Sequence, residues 1–170
     1  SEFEHDIEDL IPREDMVVTK TLGGYVKRTP VSTYQAQNRG GKGKKGLTMH
    51  DEDITTNMIV CNTHTDMLFF TSLGRVYKTR TYKLPLGTAT SKGRSLNNML
   101  SLMEDETVEF IVPMADHSNI QGEELANMSL MFATRSGQIR RSSMADFDYV
   151  PSNGKIAIGL EEGDRLIGVA

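Results

Sequence analysis

Apolar and β-branched residues along this chain come in short runs, each closed by a glycine, a polar turn or an acidic cluster. Examples are MVV at 16–18, MLFF at 67–70, LMFA at 130–133 and LIGV at 166–169. No stretch sustains a 3.6-residue period with caps at its ends. The pattern therefore predicts short strands, with helices few and short.

Aligning three glycines exposes an internal repeat. VVTKTLGGYVKRT (17–29), MLFFTSLGRVYKT (67–79) and LMFATRSGQIRRS (130–142) superpose on Gly24, Gly74 and Gly137. Three residues before the glycine stands Thr21, Thr71 or Thr134; two after it stands Val26, Val76 or Ile139. Four after it is a base (Arg28, Lys78, Arg141), and five after it Thr29, Thr79 or Ser142. Each segment reads as strand, glycine turn, strand, with glycine supplying the positive φ of a tight hairpin. A second glycine follows 19, 19 and 17 residues later, at Gly43, Gly93 and Gly154. Then come an acidic turn and another apolar strand: DEDITTNMIVC, EDETVEFIVPM and EEGDRLIGVA. The anchors lie 50 and 63 residues apart, and ADHSNIQGEELAN at 115–127 takes the place of the shorter NTHTD at 62–66. Repeats of this length, built of short strands, predict an all-β fold of propeller-like blades with about four strands each. The expected organisation is an acidic linker at 1–15, blade 1 at 16–65, blade 2 at 66–128 and blade 3 at 129–170. The last is expected to be incomplete at its C-terminal end. Because the strand at 165–170 stops without a turn, a fragment of a longer array is expected, its cut edge pairing with a neighbouring copy.

With 38% apolar residues the 170-residue chain can bury a core, and no apolar run is long enough to span a bilayer. A single cysteine, Cys61, excludes an internal disulfide framework and fits a reducing cytosol. The net charge of −4 hides a segregation. Residues 16–48 carry seven bases and no acid, and residues 67–103 carry six bases and no acid, with the acids gathered between them. Such a distribution gives a basic face on a mildly acidic molecule.

The basic stretch QNRGGKGKKG (37–46) contains Gly41, Gly43 and Gly46 in a G-x-G-x-x-G pattern. A dinucleotide turn also needs an amphipathic helix behind the glycines, and LTMHDEDITT offers none. No Gly-Lys-Ser/Thr closes a P-loop. His5, His50, His64 and His117 lack metal-ligand spacing, Cys61 has no partner cysteine, and no constellation for nucleophilic catalysis is present. Tyr25, Tyr34, Tyr77, Tyr82 and Tyr149 fall within or just after strand patterns and are expected to pack. The reading is no catalytic residue, no metal and no cofactor. What remains is a cationic glycine loop with Arg39, Lys42, Lys44 and Lys45, matched in the second repeat by TATSKGRS (88–95) with Lys92 and Arg94. Cationic side chains, open backbone N–H groups and close approach suit a phosphate backbone. With no regular element to enter a major groove, duplex DNA would be bound by charge and shape, largely independent of sequence.

QNRGGKG (37–43) resembles Q-R-R-G-G-K-G, the box of the C-terminal domain family of DNA gyrase A subunits, matching at six of seven positions. IEDLIPREDMVVT, GGYVKRT, NTHTDMLFFTSLGRVYK and GDRLIGV resemble the same family. The resemblance implies a β-pinwheel, whose blades exchange strands with their neighbours and usually number six. This chain would supply the first, the second and most of the third. It implies that DNA wraps right-handedly around a basic rim, with the box (Gln37, Asn38, Arg39, Gly40, Gly41, Lys42, Gly43) at the closure of the first blade. Further DNA-binding residues would be Lys44, Lys45, Lys27, Arg28, Arg75, Lys78, Lys92, Arg94, Arg140 and Arg141. The implied partners are the rest of gyrase A and the gyrase B protein in an A2B2 heterotetramer, in the bacterial cytoplasm at the nucleoid, with ATP and Mg2+ acting elsewhere in the assembly. Two other readings stay open: the related topoisomerase IV domain, which chooses substrates without strong wrapping, and a protein-interaction propeller using its acidic turns. Asn38 stands where the box has arginine, losing a charge but keeping a donor. Weakened wrapping is expected, with Lys44 and Lys45 compensating. An Asn38→Arg variant should bind duplex more tightly and with steeper salt dependence; no change in either would contradict the role given to this position.

Overall fold

The structure is a computed structural model and describes residues 7–39, 53–114 and 127–170. Among the described residues the chain is built of antiparallel strands in three sheets, with a helical stretch at 7–10, one nine-residue helix and three short 3-10 turns. It divides into two compact units. One comprises Ser1–Thr65 with Arg80–Met99, the other Asp66–Thr79 with Leu100–Ala170.

In the first unit, β1 (Asp15–Thr21) pairs on one side with β2 (Tyr25–Pro30) and on the other with β3 (Thr55–Asn62). The fourth strand is not local. It is β6 (Arg94–Ser95), from the second sequence repeat, which sets Tyr25 opposite Ser95 and Val26 opposite Arg94. In the second unit, β4 (Asp66–Thr71) is continued through the Gly74 turn by β5 (Arg75–Arg80). There β4 pairs with β7 (Val108–Pro113), while β5 takes its outer neighbour, β10 (Lys155–Ile156), from the third repeat. The third sheet has the order β11 (Leu166–Val169), β8 (Ser129–Thr134), β9 (Ile139–Ser143). Here Ile139, the counterpart of the fully buried Val26 and Val76, is 72% exposed, because among the described residues no strand pairs with the outer edge of β9.

The glycine turns form as the repeat predicts: Gly24, Gly74 and Gly137 have φ of 85°, 79° and 93°. The threonine three residues earlier closes each hairpin. Its carbonyl accepts the glycine N–H at 3.0 Å. Its hydroxyl accepts the next residue's N–H, from Tyr25 at 3.1 Å, Arg75 at 3.2 Å and Gln138 at 3.1 Å. Each turn is then plugged by a carboxylate from the acidic segment that follows. Asp53 accepts from Thr21 and Gly23, Glu106 from Thr71 and Met103, and Asp164 from Ser136 through both backbone and hydroxyl. Hydrogen bonds from Thr21 and Ser136 hold the Asp53 and Asp164 carboxyls below the ordinary aspartate value. The acidic clusters are thus hairpin latches as well as solvated turns.

The second glycines explain the exchange. Gly93 (φ 83°) has no room for a Cβ against the carbonyl of Val26, and Gly154 (φ 79°) has none against the Tyr77 ring, 2.9 Å away. Each lets the later repeat's strand close onto the earlier repeat's hairpin. Behind the strands of the second unit, Leu68, Phe70, Val76, Leu130, Phe132, Met144, Phe147 and Ile158 form one apolar cluster. Its aromatic rings meet edge to face, Phe70 with Phe132 at 5.3 Å and with Phe147 at 5.6 Å.

The sequence predicts a loop from Gln37 onward, whereas the helix Val31–Arg39 runs through the first three residues of the box. Gln35, Ala36, Gln37 and Arg39 favour a helix once Pro30 has ended β2. At the other end, residues 11–14 are held to the turn at 62–65 by Thr63 and His64.

Gly74 and Gly137 allow a controlled test of the turns within one unit. Both have positive φ, but a Cβ on Gly137 meets nothing within 4 Å, while one on Gly74 collides with the Ile158 carbonyl. Gly137→Ala should therefore cost about 1 kcal/mol of left-handed strain. Gly74→Ala should cost about 3 kcal/mol or more, because the exchanged segment must shift as well. Hydrogen exchange of amides in β8 and β4 measures both. Equal costs would contradict the close approach.

Candidate nucleic-acid interface

The bases singled out from sequence separate into two sets once their partners are known. Lys27, on β2, reaches across to the turn before β6, and its ammonium donates to the carbonyls of Thr88 at 2.7 Å, Ala89 at 3.1 Å and Ser91 at 2.6 Å. Three donors meet three acceptors, leaving none for an external phosphate. Burial pulls its pKa below the ordinary lysine value. Arg28 donates from Nε to the Leu84 carbonyl at 2.9 Å, and burial lowers its pKa too, against the pull of Glu14.

Lys78 is the second repeat's counterpart of Arg28. It donates to the carbonyls of Phe147 at 3.2 Å and Asp148 at 2.6 Å, and lies 3.6 Å from Asp66. Leu84 and Phe147 each stand ten residues past their own anchor glycine. The recurring base is therefore a clasp: it holds a carbonyl of the repeat that follows. Arg75 is likewise engaged, with Glu106 at 3.4 Å, the Asn153 carbonyl at 2.5 Å and the Tyr77 ring. These four cations are directed inward, onto the exchanged segments.

The other set faces solvent. Lys92 and Arg94 are exposed on either side of Gly93. The Lys92 ammonium lies 4.3 Å from the centre of the Tyr25 ring, which fixes the side chain without neutralising it. In the third sheet Arg140 and Arg141 are exposed on β9, Arg141 donating to Ser129 Oγ at 2.9 Å. Lys83, at the end of the 3-10 turn Thr81–Lys83, is also exposed. It lies outside the aligned repeat columns, so the repeat gives no signal for it. Among the box residues, Gln37, Asn38 and Arg39 belong to the helix Val31–Arg39. Gly40, Gly41, Lys42 and Gly43, with Lys44 and Lys45, lie outside the described residues.

Among the described residues no group of His, Cys, Asp and Glu side chains is placed to hold a metal ion. Burial pushes the Cys61 thiol up, away from thiolate, with the Thr81 hydroxyl opposing weakly at 3.6 Å. No helix among them is long and apolar enough to cross a membrane.

Strand-exchanged, glycine-hinged four-stranded sheets are the build of a propeller-like repeat array. The chain belongs to the family of DNA gyrase C-terminal domains, a β-propeller family, which matches it at residues 15–62, 65–113 and 129–170. It is 54% identical over 168 residues to the DNA gyrase A protein of Rickettsia prowazekii (strain Madrid E), a match that covers 99% of this chain and 18% of that protein. It is 43% identical over 162 residues to the DNA gyrase A protein of Staphylococcus epidermidis (strain ATCC 12228 / FDA PCI 1200), covering 95% of this chain and 18% of that one. The chain thus spans about a fifth of the length of these relatives. Among solved structures it is similar to the C-terminal domain of DNA topoisomerase IV, with a TM-score of 0.76 and 25% identity over 94% of this chain and 46% of that chain. It is also similar in fold to the DNA gyrase A C-terminal domain, with a TM-score of 0.59 and 24% identity over 92% of this chain and 47% of that chain.

The two sets of cations should differ in stability. Lys78→Gln removes a clasp and leaves Asp66 buried beside an uncharged group, so it should destabilise the second unit by about 2–3 kcal/mol. Arg94→Gln should change stability by less than about 0.5 kcal/mol. Chemical denaturation checks both, and a neutral Lys78→Gln would contradict the clasp.

Proposed function

We propose that this chain is a non-catalytic module that binds and wraps duplex DNA within a gyrase-type topoisomerase. The observation that carries the reading is its membership of the gyrase C-terminal domain family along nearly its whole length. The geometry supports it through the exchange loops, which put Lys92 and Arg94 into solvent on a loop anchored by Lys27. The DNA contacts are proposed at the box residues Gln37–Gly43, at Lys44 and Lys45, and at the outward cations Lys83, Lys92, Arg94, Arg140 and Arg141. Lys27, Arg28, Arg75 and Lys78 act one step behind, by holding the exchanged segments that carry or neighbour those contacts.

The mechanism is electrostatic. Cations neutralise phosphates and release condensed counterions, and this free energy offsets the cost of bending a short duplex, on the order of 1–6 kcal/mol. Binding by charge and shape makes the contacts largely independent of base sequence. Wrapping in a fixed hand becomes supercoiling only in the complete assembly, where the gyrase B protein and ATP drive strand passage. This division leaves the cleavage tyrosine, the metal ions and the nucleotide outside this chain. Residues 16–65, 66–128 and 129–170 serve as successive blades of the wrapping surface.

Duplex affinity should fall steeply with salt. Lys92→Gln with Arg94→Gln should flatten the plot of log affinity against log salt by about two phosphates' worth, roughly 1.8 in slope. A topology assay on relaxed circular DNA should show the wild-type chain displacing the linking number and the double variant displacing it less. Salt-independent binding, or no binding, would reject the reading.

A further inference from the structure

The turn at residues 88–91 is folded inside out relative to an ordinary surface loop. Its carbonyls converge on a cation instead of facing water: those of Ala89 and Ser91 point at the Lys27 ammonium. No peptide bond among the described residues is cis. In a trans peptide the C=O and the following N–H point in opposite directions. With the Ala89 and Ser91 carbonyls turned inward, the N–H groups of Thr90 and Lys92 are turned away from Lys27. Both residues are exposed, and neither N–H has an acceptor among the described residues.

The turn is built to hold this orientation. Thr88 and Ser91 lock each other reciprocally, Thr88 N–H to Ser91 Oγ at 2.9 Å and Ser91 N–H to Thr88 Oγ1 at 3.2 Å. Glycines stand on both sides. A Cβ on Gly87 would meet Ser91 Oγ at 2.5 Å and Lys27 Cδ at 3.2 Å, and one on Gly93 would meet Lys27 Cβ at 3.1 Å. Only glycine at these two places lets the turn close over the lysine. A cation behind the peptide planes adds to the partial positive charge of the outward N–H groups, as a helix dipole does at its N-terminus. The Lys92 ammonium, seated on Tyr25, and the exposed Arg94 flank the same turn.

We infer that the backbone N–H groups of Thr90 and Lys92, turned outward by Lys27, are each a main-chain donor to a phosphate of a nucleic-acid backbone. This rests on the DNA-binding reading and deepens it by assigning a contact to main-chain atoms. Lys27 is a positioning residue here: it acts through the peptides it orients and does not touch the phosphate. In the second repeat Tyr77 stands in the place of Lys27, and its hydroxyl donates to the Ser101 carbonyl instead.

The test is amide NMR of this chain titrated with a short duplex. The Thr90 and Lys92 amide protons should move downfield and saturate with the binding curve. In Lys27→Gln, which keeps Lys92 and Arg94, both shifts should vanish and affinity should drop about tenfold, the effect of losing two backbone contacts. The wild-type titration stands by itself should that variant fail to fold. Duplex binding without movement of these two amides would overturn the site while leaving the DNA-binding reading intact. Absence of duplex binding would overturn both. Equal shifts at equal concentrations of inorganic phosphate would overturn the assignment to a nucleic-acid backbone.

Discussion

The organisation of this protein depends on the pairing of a two-residue strand with the hairpin of the preceding repeat. Val26 opposite Arg94 and Val76 opposite Lys155 are the register points. Both pairings need a glycine at positive φ immediately before the exchanged strand, because the earlier repeat's backbone or ring fills the space a Cβ would take. Without that approach β2 and β5 would expose unpaired edges, and Val26 and Val76 would stand in water as Ile139 does. Neighbouring repeats are thus tied covalently and also through shared sheets.

That architecture decides what each charge can do. A base two residues beyond the buried valine of the hairpin lies where the following repeat arrives, so its donors are drawn into carbonyls: Arg28 to Leu84, Lys78 to Phe147 and Asp148. Lys92 and Arg94, beside the second glycine of the second repeat, lie on the arriving segment itself and stay in solvent, whereas Lys155 beside Gly154 is half-buried and donates to the Asp146 carbonyl. The acids follow the same logic of place. Asp53, Glu106 and Asp164 sit where a hairpin's N–H and hydroxyl groups lack acceptors, and so they close turns that the glycines opened.

Much of this was legible in the sequence, and the exceptions have a common cause. The hairpins could be read because Thr21, Gly24 and their repeats are constrained locally, by one residue's φ and one hydroxyl's reach. The all-β class followed from the same columns, and the likeness of the box to the gyrase A family agrees with the family match. The direction of the cations was not legible. Lys27 and Lys92 look equivalent in a charge tally, and only the non-local partner separates them: three carbonyls some sixty residues away for one, an aromatic face for the other. The helix through Arg39 was hidden by the box motif, which invites a loop reading although its first residues are ordinary helix formers. Lys83 escaped because it belongs to no repeat column.

The central claim is that inward cations build the surface and outward cations meet the DNA. Lysine acylation by a small reagent, mapped by mass spectrometry with and without duplex, tests it most directly. Lys83 and Lys92 should react readily in the free protein and become protected when duplex is added, while Lys27 and Lys78 stay unreactive in both. Strong labelling of Lys27 and Lys78 that DNA suppresses, with Lys83 and Lys92 unaffected, would contradict the account.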